Sequence, residues 1–192
     1  MTVNKDWMSS LKNANLGDYI KFGKYPQIAS GEIQPIEWQV LVRENNKILV
    51  ISRYALEAMR FDKDSNSWKC SEIRKWLNGY FYNKVFNEQE KKYIKSSNLS
   101  DVGTTDNVFL LSCDEAEKYF ANNEVRRCKG TDYSMKNGAY KDGNGFGLWW
   151  LRSTGPNYDY GVSYVDYDGD IIDCYIVYNS NLLVRPALWI NI

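Results

Sequence analysis

Two apolar runs near the C-terminus constrain this chain more than anything else in it. Leu148-Trp-Trp-Leu-Arg-Ser and Val184-Arg-Pro-Ala-Leu-Trp-Ile are apolar enough to demand burial. Between them, residues 157–183 form a 27-residue stretch with six Tyr and five Asp but no Lys, Glu, Gln, Met or Trp. It is too polar for a run of core strands and too aromatic to be disordered. The flanking runs therefore have to hold it. Trp149, Trp150, Leu151, Leu188, Trp189 and Ile190 are expected in the core, with Gly155, Gly161 and Gly169 at turns.

Charge follows the same division. The chain has 24 basic and 24 acidic residues, so no global field marks it as a nucleic-acid or membrane-surface binder. Residues 1–141 carry 22 basic and 18 acidic groups, whereas residues 142–192 carry six Asp against Arg152 and Arg185 alone. Those two arginines are expected as partly buried scaffold groups paired with carboxylates or carbonyls. The absence of His removes the usual general base, the common zinc ligand and the His-dependent triads. No enzymatic activity, cofactor or metal is expected.

The apolar runs are too short to cross a bilayer, and the N-terminus lacks the apolar segment of a secretory signal. Neither membrane insertion nor secretion is expected: the protein stays in the cytoplasm of the cell that makes it or leaves as part of a larger particle such as a phage virion, or Met1 is not its native start. Cys70, Cys113, Cys128 and Cys174 have no C-x-x-C spacing and are expected as free thiols. Cys128 lies beside Arg126, Arg127 and Lys129, charges that could lower its pKa.

Residues 1–192 read as one α+β domain. Asp18–Gly23 and Ile36–Val42 are expected strands, the second with Ile36, Trp38, Val40 and Val42 on one face. Lys47–Ser52 follows across a tight Glu44-Asn-Asn connection. Ser71 is a good N-cap for a helix carrying Ile73, Trp76, Leu77 and Tyr80 at i, i+3, i+4 and i+7. Val108–Leu111 reads as a short buried strand, and Ser112-Cys-Asp-Glu115 as a capping box before Ala116, Tyr119 and Phe120. Glu88–Lys95 reads as a solvated helix face, and the Gly-rich run from Asp142 as a loop. Asp166-Tyr-Asp168-Gly-Asp170 fails the calcium-loop pattern, because Gly169 is fourth and Val177 twelfth where Gly sixth and Glu twelfth are needed.

The candidate binding residues lie in the polar stretch. They are Tyr158, Tyr160, Tyr164, Tyr167, Tyr175 and Tyr178, with Asp159, Asp166, Asp168, Asp170 and Asp173. Asn157, Ser163, Asn179, Ser180 and Asn181 complete the set. Tyrosine supplies large, stiff contact area, and short polar side chains adjust hydrogen bonding at small entropic cost. The missing residue types share a coding logic. Changing the adenines of an AAC or AAT codon yields Asn, Asp, Tyr, Ser, Ile, Leu, Cys and others, but never Lys, Glu, Gln, Met or Trp.

Asp18-Tyr-Ile-Lys-Phe-Gly-Lys-Tyr-Pro-Gln, Ile36-Glu-Trp-Gln-Val-Leu, Ile73-Arg-Lys-Trp-Leu-Asn, Val108-Phe-Leu-Leu-Ser, Trp149-Trp-Leu-Arg-Ser and Val184-Arg-Pro-Ala-Leu-Trp-Ile resemble an uncharacterised bacterial and phage domain family. That family is similar to C-type-lectin-fold proteins, and some members to the variable proteins of diversity-generating retroelements. The resemblance implies a C-type lectin fold whose C-terminal face, diversified by adenine-directed mutagenesis, binds an unknown protein or cell-surface ligand. A fixed-specificity adhesin or phage receptor-binding domain is one alternative, and an oxidase or hydrolase built on the same fold is the other. Formylglycine-generating enzymes share the fold but rest on a pair of active-site cysteines near the C-terminus, a region in which only Cys174 lies here. The Glu-Pro-Asn and Trp-Asn-Asp sugar motifs of animal lectins are missing, and fold alone implies no sugar ligand.

Overall fold

The computed structural model describes residues 6–155 and 160–192. Helix α1 (Asp6–Asn13) precedes strands β1 (Tyr19–Pro26), β2 (Ile33–Arg43) and β3 (Lys47–Ser52). The expected β2–β3 hairpin closes where the Glu44 N–H donates to the Lys47 carbonyl at 2.9 Å. Ile36, Trp38 and Val40 are buried as alternation requires, but the pairing slips between Val40 and Val42. At that bulge Leu41 turns inward and Val42 is left half-buried, so the expected face changes over.

Short elements fill the middle: β4 (Glu57–Ala58), α2 (Glu72–Trp76), α3 (Tyr82–Val85), α4 (Glu88–Lys91), β5 (Ile94–Lys95), β6 (Ser97–Leu99) and β7 (Thr104–Asp106). Ser71 caps α2 by accepting the Arg74 N–H at 3.2 Å. Ile73 and Leu77 are buried, but Tyr80 is 59% exposed. A π-helical turn at Leu77–Phe81 adds a residue to the repeat, and the inward position passes to Phe81.

Glu90 is also not the solvated residue expected. It is buried, and its carboxylate accepts the N–H groups of Asn87 at 2.9 Å and Gly23 at 3.1 Å. Val108–Leu111 is buried as expected but makes no strand ladder. Phe109 bridges Ala187, while side chains of Asn78 and Arg152 donate to the Val108 and Leu110 carbonyls. The capping box forms, with Ser112 and Glu115 exchanging hydrogen bonds of 3.1 and 3.0 Å at the start of α5 (Cys113–Tyr119).

The remaining elements are α6 (Asn123–Arg126), α7 (Asp132–Lys136), β8 (Trp149–Thr154), β9 (Gly161–Val165), β10 (Ile171–Ile176), β11 (Leu183–Val184) and β12 (Ala187–Asn191). One sheet runs β1-β2-β3-β12-β5 and another β10-β9-β8-β11-β4, with β6–β7 a separate hairpin. The class is α+β. The first apolar run is β8. The second feeds both sheets, since Val184 pairs with Glu57 in one and Ala187 with Ile51 in the other. Trp149, Trp150, Leu151, Leu188 and Ile190 have no exposed surface. Trp189 points the other way; it is half-buried, and the Lys47 ammonium sits 4.1 Å over its ring.

Arg152 and Arg185 are each 2% exposed. Arg152 donates to Asp101 at 2.9 and 3.1 Å, to Glu115 at 2.5 Å and to the Leu110 carbonyl at 2.7 Å. Arg185 donates to the carbonyls of Ser52 at 3.0 Å and Arg126 at 3.2 Å, beside the rings of Trp149 and Phe120. Both meet the scaffold expectation.

Arg152→Ala should therefore cost about 3 kcal/mol in urea unfolding, the low end for breaking a buried pair, because Asp101 keeps 42% of its side chain in water. Arg53→Ala, which breaks the exposed pair with Glu37, should cost under about 1 kcal/mol.

Candidate functional site

The polar stretch builds β9, the edge strand β10 and the turns around them. Trp150 of β8, Tyr164 of β9 and Ile172 of β10 lie opposite one another across the sheet. The pairing then slips between Ile172 and Tyr175. Cys174, within that slip, has φ +86°, the one positive φ at a non-glycine residue among those described. This strained conformation marks a bulge that re-aims the strand. Gly155 passes against it, where an added Cβ would lie 3.3 Å from the Cys174 Cβ. Gly155 thus serves close approach, and Gly161 opens a strand rather than a turn.

The bulge sets the Tyr175 ring edge-on to Tyr164 at 5.1 Å and to Trp150 at 6.0 Å. Trp150 in turn packs on Phe61 at 5.8 Å and donates its indole N–H to the Met59 carbonyl at 2.9 Å. An aromatic ladder therefore runs from the core to the surface, with Tyr164 and Tyr175 as half-buried upper rungs. Burial, then the nearby Asp166 charge, raises the Tyr164 phenol above its ordinary pKa. Burial, then neighbouring phenols, does the same at Tyr167 and Tyr175. All three are neutral hydroxyls at physiological pH, able to donate and accept.

The β9–β10 turn is clamped. The Asp166 carboxylate accepts the N–H groups of Asp168 and Asp170, both at 2.9 Å. From α6, Arg126 donates to the Gly169 carbonyl at 2.7 Å, Asn123 to the Asp170 carboxylate, and the adjoining Arg127 to the Tyr167 carbonyl at 2.8 Å. Gly169 has φ +84°, and a Cβ there would collide with the Asn123 carbonyl. Sequence reasoning missed this clamp. In the sequence Arg126 and Arg127 read only as charges near Cys128 that could lower its pKa, and that expectation is also overturned. Cys128 is buried, and desolvation pushes its thiol up. All four cysteines are free.

The candidate residues divide accordingly. Ser163 is fully buried and donates to Asp173 at 3.2 Å, so it positions a neighbour and offers no contact surface. Asn179 caps the Asn181 N–H at 2.8 Å, and Asn181 exchanges hydrogen bonds with the 138–140 loop. With Asp166 and Asp170, these side chains hold the scaffold. Tyr160 and Tyr178 are 55% and 57% exposed. Asp168, Asp173 and Ser180 are also exposed, and Tyr164, Tyr167 and Tyr175 are half-buried. Asn157, Tyr158 and Asp159 lie outside the described residues.

Among the described residues, no group of three or more His, Cys, Asp or Glu is arranged to hold a metal ion. No helix is long and apolar enough to cross a membrane. A cleft of about 520 Å³ lined in part by Lys21, Glu37, Tyr54, Lys129 and Asp132 contains none of the candidate residues.

Fold and site together define an α+β domain with a tyrosine- and aspartate-rich sheet edge standing on a buried tryptophan base. Residues 45–192 match the family model described as a domain of unknown function (DUF6273), and the chain belongs to that family. No curated protein and no solved structure matches it.

Gly169→Ala should cost about 2 kcal/mol or more, from the positive φ and the displaced Asn123 carbonyl. Amide exchange should rise at Arg127 and Asp170 before it rises in β3. The raised phenol pKa values give stability that is fully present below pH ~10 and lost as pH climbs through the folded-state values. Thermal melts should accordingly be flat with respect to phenol ionisation from pH 7 to 9 and fall above pH ~10.

Proposed function

We propose that this chain is a protein-binding display domain of C-type lectin type, diversified by a retroelement, that binds through the edge formed by β9, β10 and their flanking turns. The observation that carries the proposal is a coincidence of two independent patterns. The stretch lacking the five residue types unreachable from AAC and AAT codons is also the stretch that forms the sheet edge, bounded at both ends by buried strands. Within it, Tyr160, Asp168, Tyr178 and Ser180 project into solvent and make no side-chain hydrogen bond among the described residues, so changing them leaves the fold's own bonds in place.

A second reading, a fixed-specificity adhesin or receptor-binding domain, is favoured by a different observation. Asp166, Asp170, Asn179 and Asn181 are committed to turns and loop tethers, which a freely varying segment would lose.

Two measurements test the proposal. The encoding locus should hold a near-copy repeat of the codons for residues 157–183, differing mainly at adenines, beside a reverse transcriptase gene. An invariant segment across sister isolates without such a repeat would leave the fixed-specificity reading. Independently, Tyr160→Ser, Asp168→Asn and Tyr178→Ser combined should move Tm by no more than about 2–4 °C. Trp150→Ala, a truncation in the core, should lower it by at least about 6 °C. Comparable losses in both would mean that the edge side chains are packing, and the binding-face idea would be wrong.

A further inference from the structure

We infer that the tyrosine edge takes a basic polypeptide segment, a partner that presents Lys or Arg side chains to it. This rests on the reading of the edge as a binding face and names the chemistry of its partner.

The net negative charge of residues 142–192 becomes more marked once the fold is known. Their only cations, Arg152 and Arg185, are each 2% exposed, so the segment presents no cation to water. Two cations contributed by other elements near the β9–β10 turn are already engaged. Arg127 is tied to the Tyr167 carbonyl, to Glu124 and to Asp142, with its guanidinium 3.8 Å from the Phe146 ring centre. The Lys129 ammonium stands over the same ring. Asp170 is satisfied by Asn123. Asp168 and Asp173 remain exposed without a cationic partner among the described residues.

Tyr160 and Tyr178 are exposed in the same segment, and an aromatic face attracts a cation through its quadrupole. The outer side of β10 makes no ladder among the described residues and can pair with an extended chain. Along it Ile172 and Ile176 are 37% and 43% exposed, apolar surface on which the methylene stems of Lys or Arg can lie. Ile172 shares a face with Tyr164, on which Tyr175 packs, and Asp173, bonded to Ser163, lies on the other, so an extended chain on the free edge sets one basic side chain against isoleucine and ring and its neighbour against carboxylate.

Other occupants fit less well. A second copy joined through the same face would set Asp168 and Asp173 against themselves. A nucleic acid or an anionic membrane would be repelled.

Fluorescence anisotropy of the full chain with labelled octalysine, octaglutamate and a (Gly-Ser)4 peptide at low salt tests the inference. Octalysine should bind more tightly than the other two. Asp168→Asn with Asp173→Asn should weaken it fivefold or more, the Ser163 hydrogen bond to residue 173 being retained by the amide oxygen. Asp114→Asn with Glu117→Gln removes the same charge from the exposed surface of α5 and should weaken it less than twofold. Equal weakening by both pairs, or equal binding of the three peptides, overturns the inference. If Tyr160→Ser with Tyr178→Ser weakens peptide binding while the Asp168/Asp173 pair does not, the binding face stands and the basic partner falls. If neither pair matters, both fall.

Discussion

The crossing of the chain from one sheet to the other at Val184–Ala187 is the constraint on which the rest depends. Leu183 pairs with Trp149 in one sheet, and four residues later Ala187 pairs with Ile51 in the other. Between them the Ser52 N–H donates to the Pro186 carbonyl at 2.9 Å, and Arg185 donates to the Ser52 carbonyl at 3.0 Å. Proline suits this position because it offers only an acceptor. Arg185 suits it because its planar fork reaches carbonyls on different segments while its face lies against Trp149 and Phe120.

That guanidinium also links the crossing to the edge. Arg185 donates to the Arg126 carbonyl, and the Arg126 side chain donates to the Gly169 carbonyl at the β9–β10 turn. Both arginines are buried, and among the described residues neither has a carboxylate within ion-pair distance. Carbonyl dipoles and aromatic faces carry the compensation that charge burial requires. Removing either side chain would therefore loosen both the sheet crossing and the turn, even though Arg126 and Gly169 are 43 residues apart.

What could be read in the sequence was local. The Ser112 capping box, the Ser71 cap, the Glu44 hairpin and the two apolar runs each carry their signal within a few residues, and each forms. Most departures from the sequence expectation involve a partner far along the chain. Glu90 is buried because the Gly23 N–H needs an acceptor, and Cys128 is desolvated by the layers above it. Ser163 faces inward because β9 is covered on both sides. Tyr80 is the exception, misplaced by a π-helical turn that no periodicity rule at 3.6 residues anticipates. The family match starts at Asn45, yet β1 and β2 supply Phe22 and Trp38 to the same core, with the Trp38 indole donating to the Phe22 carbonyl. The first two strands are structurally inseparable from the matched region.

The site was half legible for the same reason. Composition located the stretch but could not separate side chains that hold it from side chains that face outward. The division follows from three anchors: the clamped turn at Asp166–Asp170, the bulge at Cys174 against Gly155, and the tether of Asn181 to the 138–140 loop. An edge held at three points has little conformational freedom left, and the half-buried rings of Tyr164 and Tyr175 are already oriented by their neighbours. Exposed positions between the anchors can change without altering the geometry in which they are presented. The positions at the anchors cannot, because each of their bonds closes a turn or a contact with another element. A surface that is both rigid and tolerant of substitution requires this separation, and here the bulge in β10 largely determines which side chains fall on each side of it.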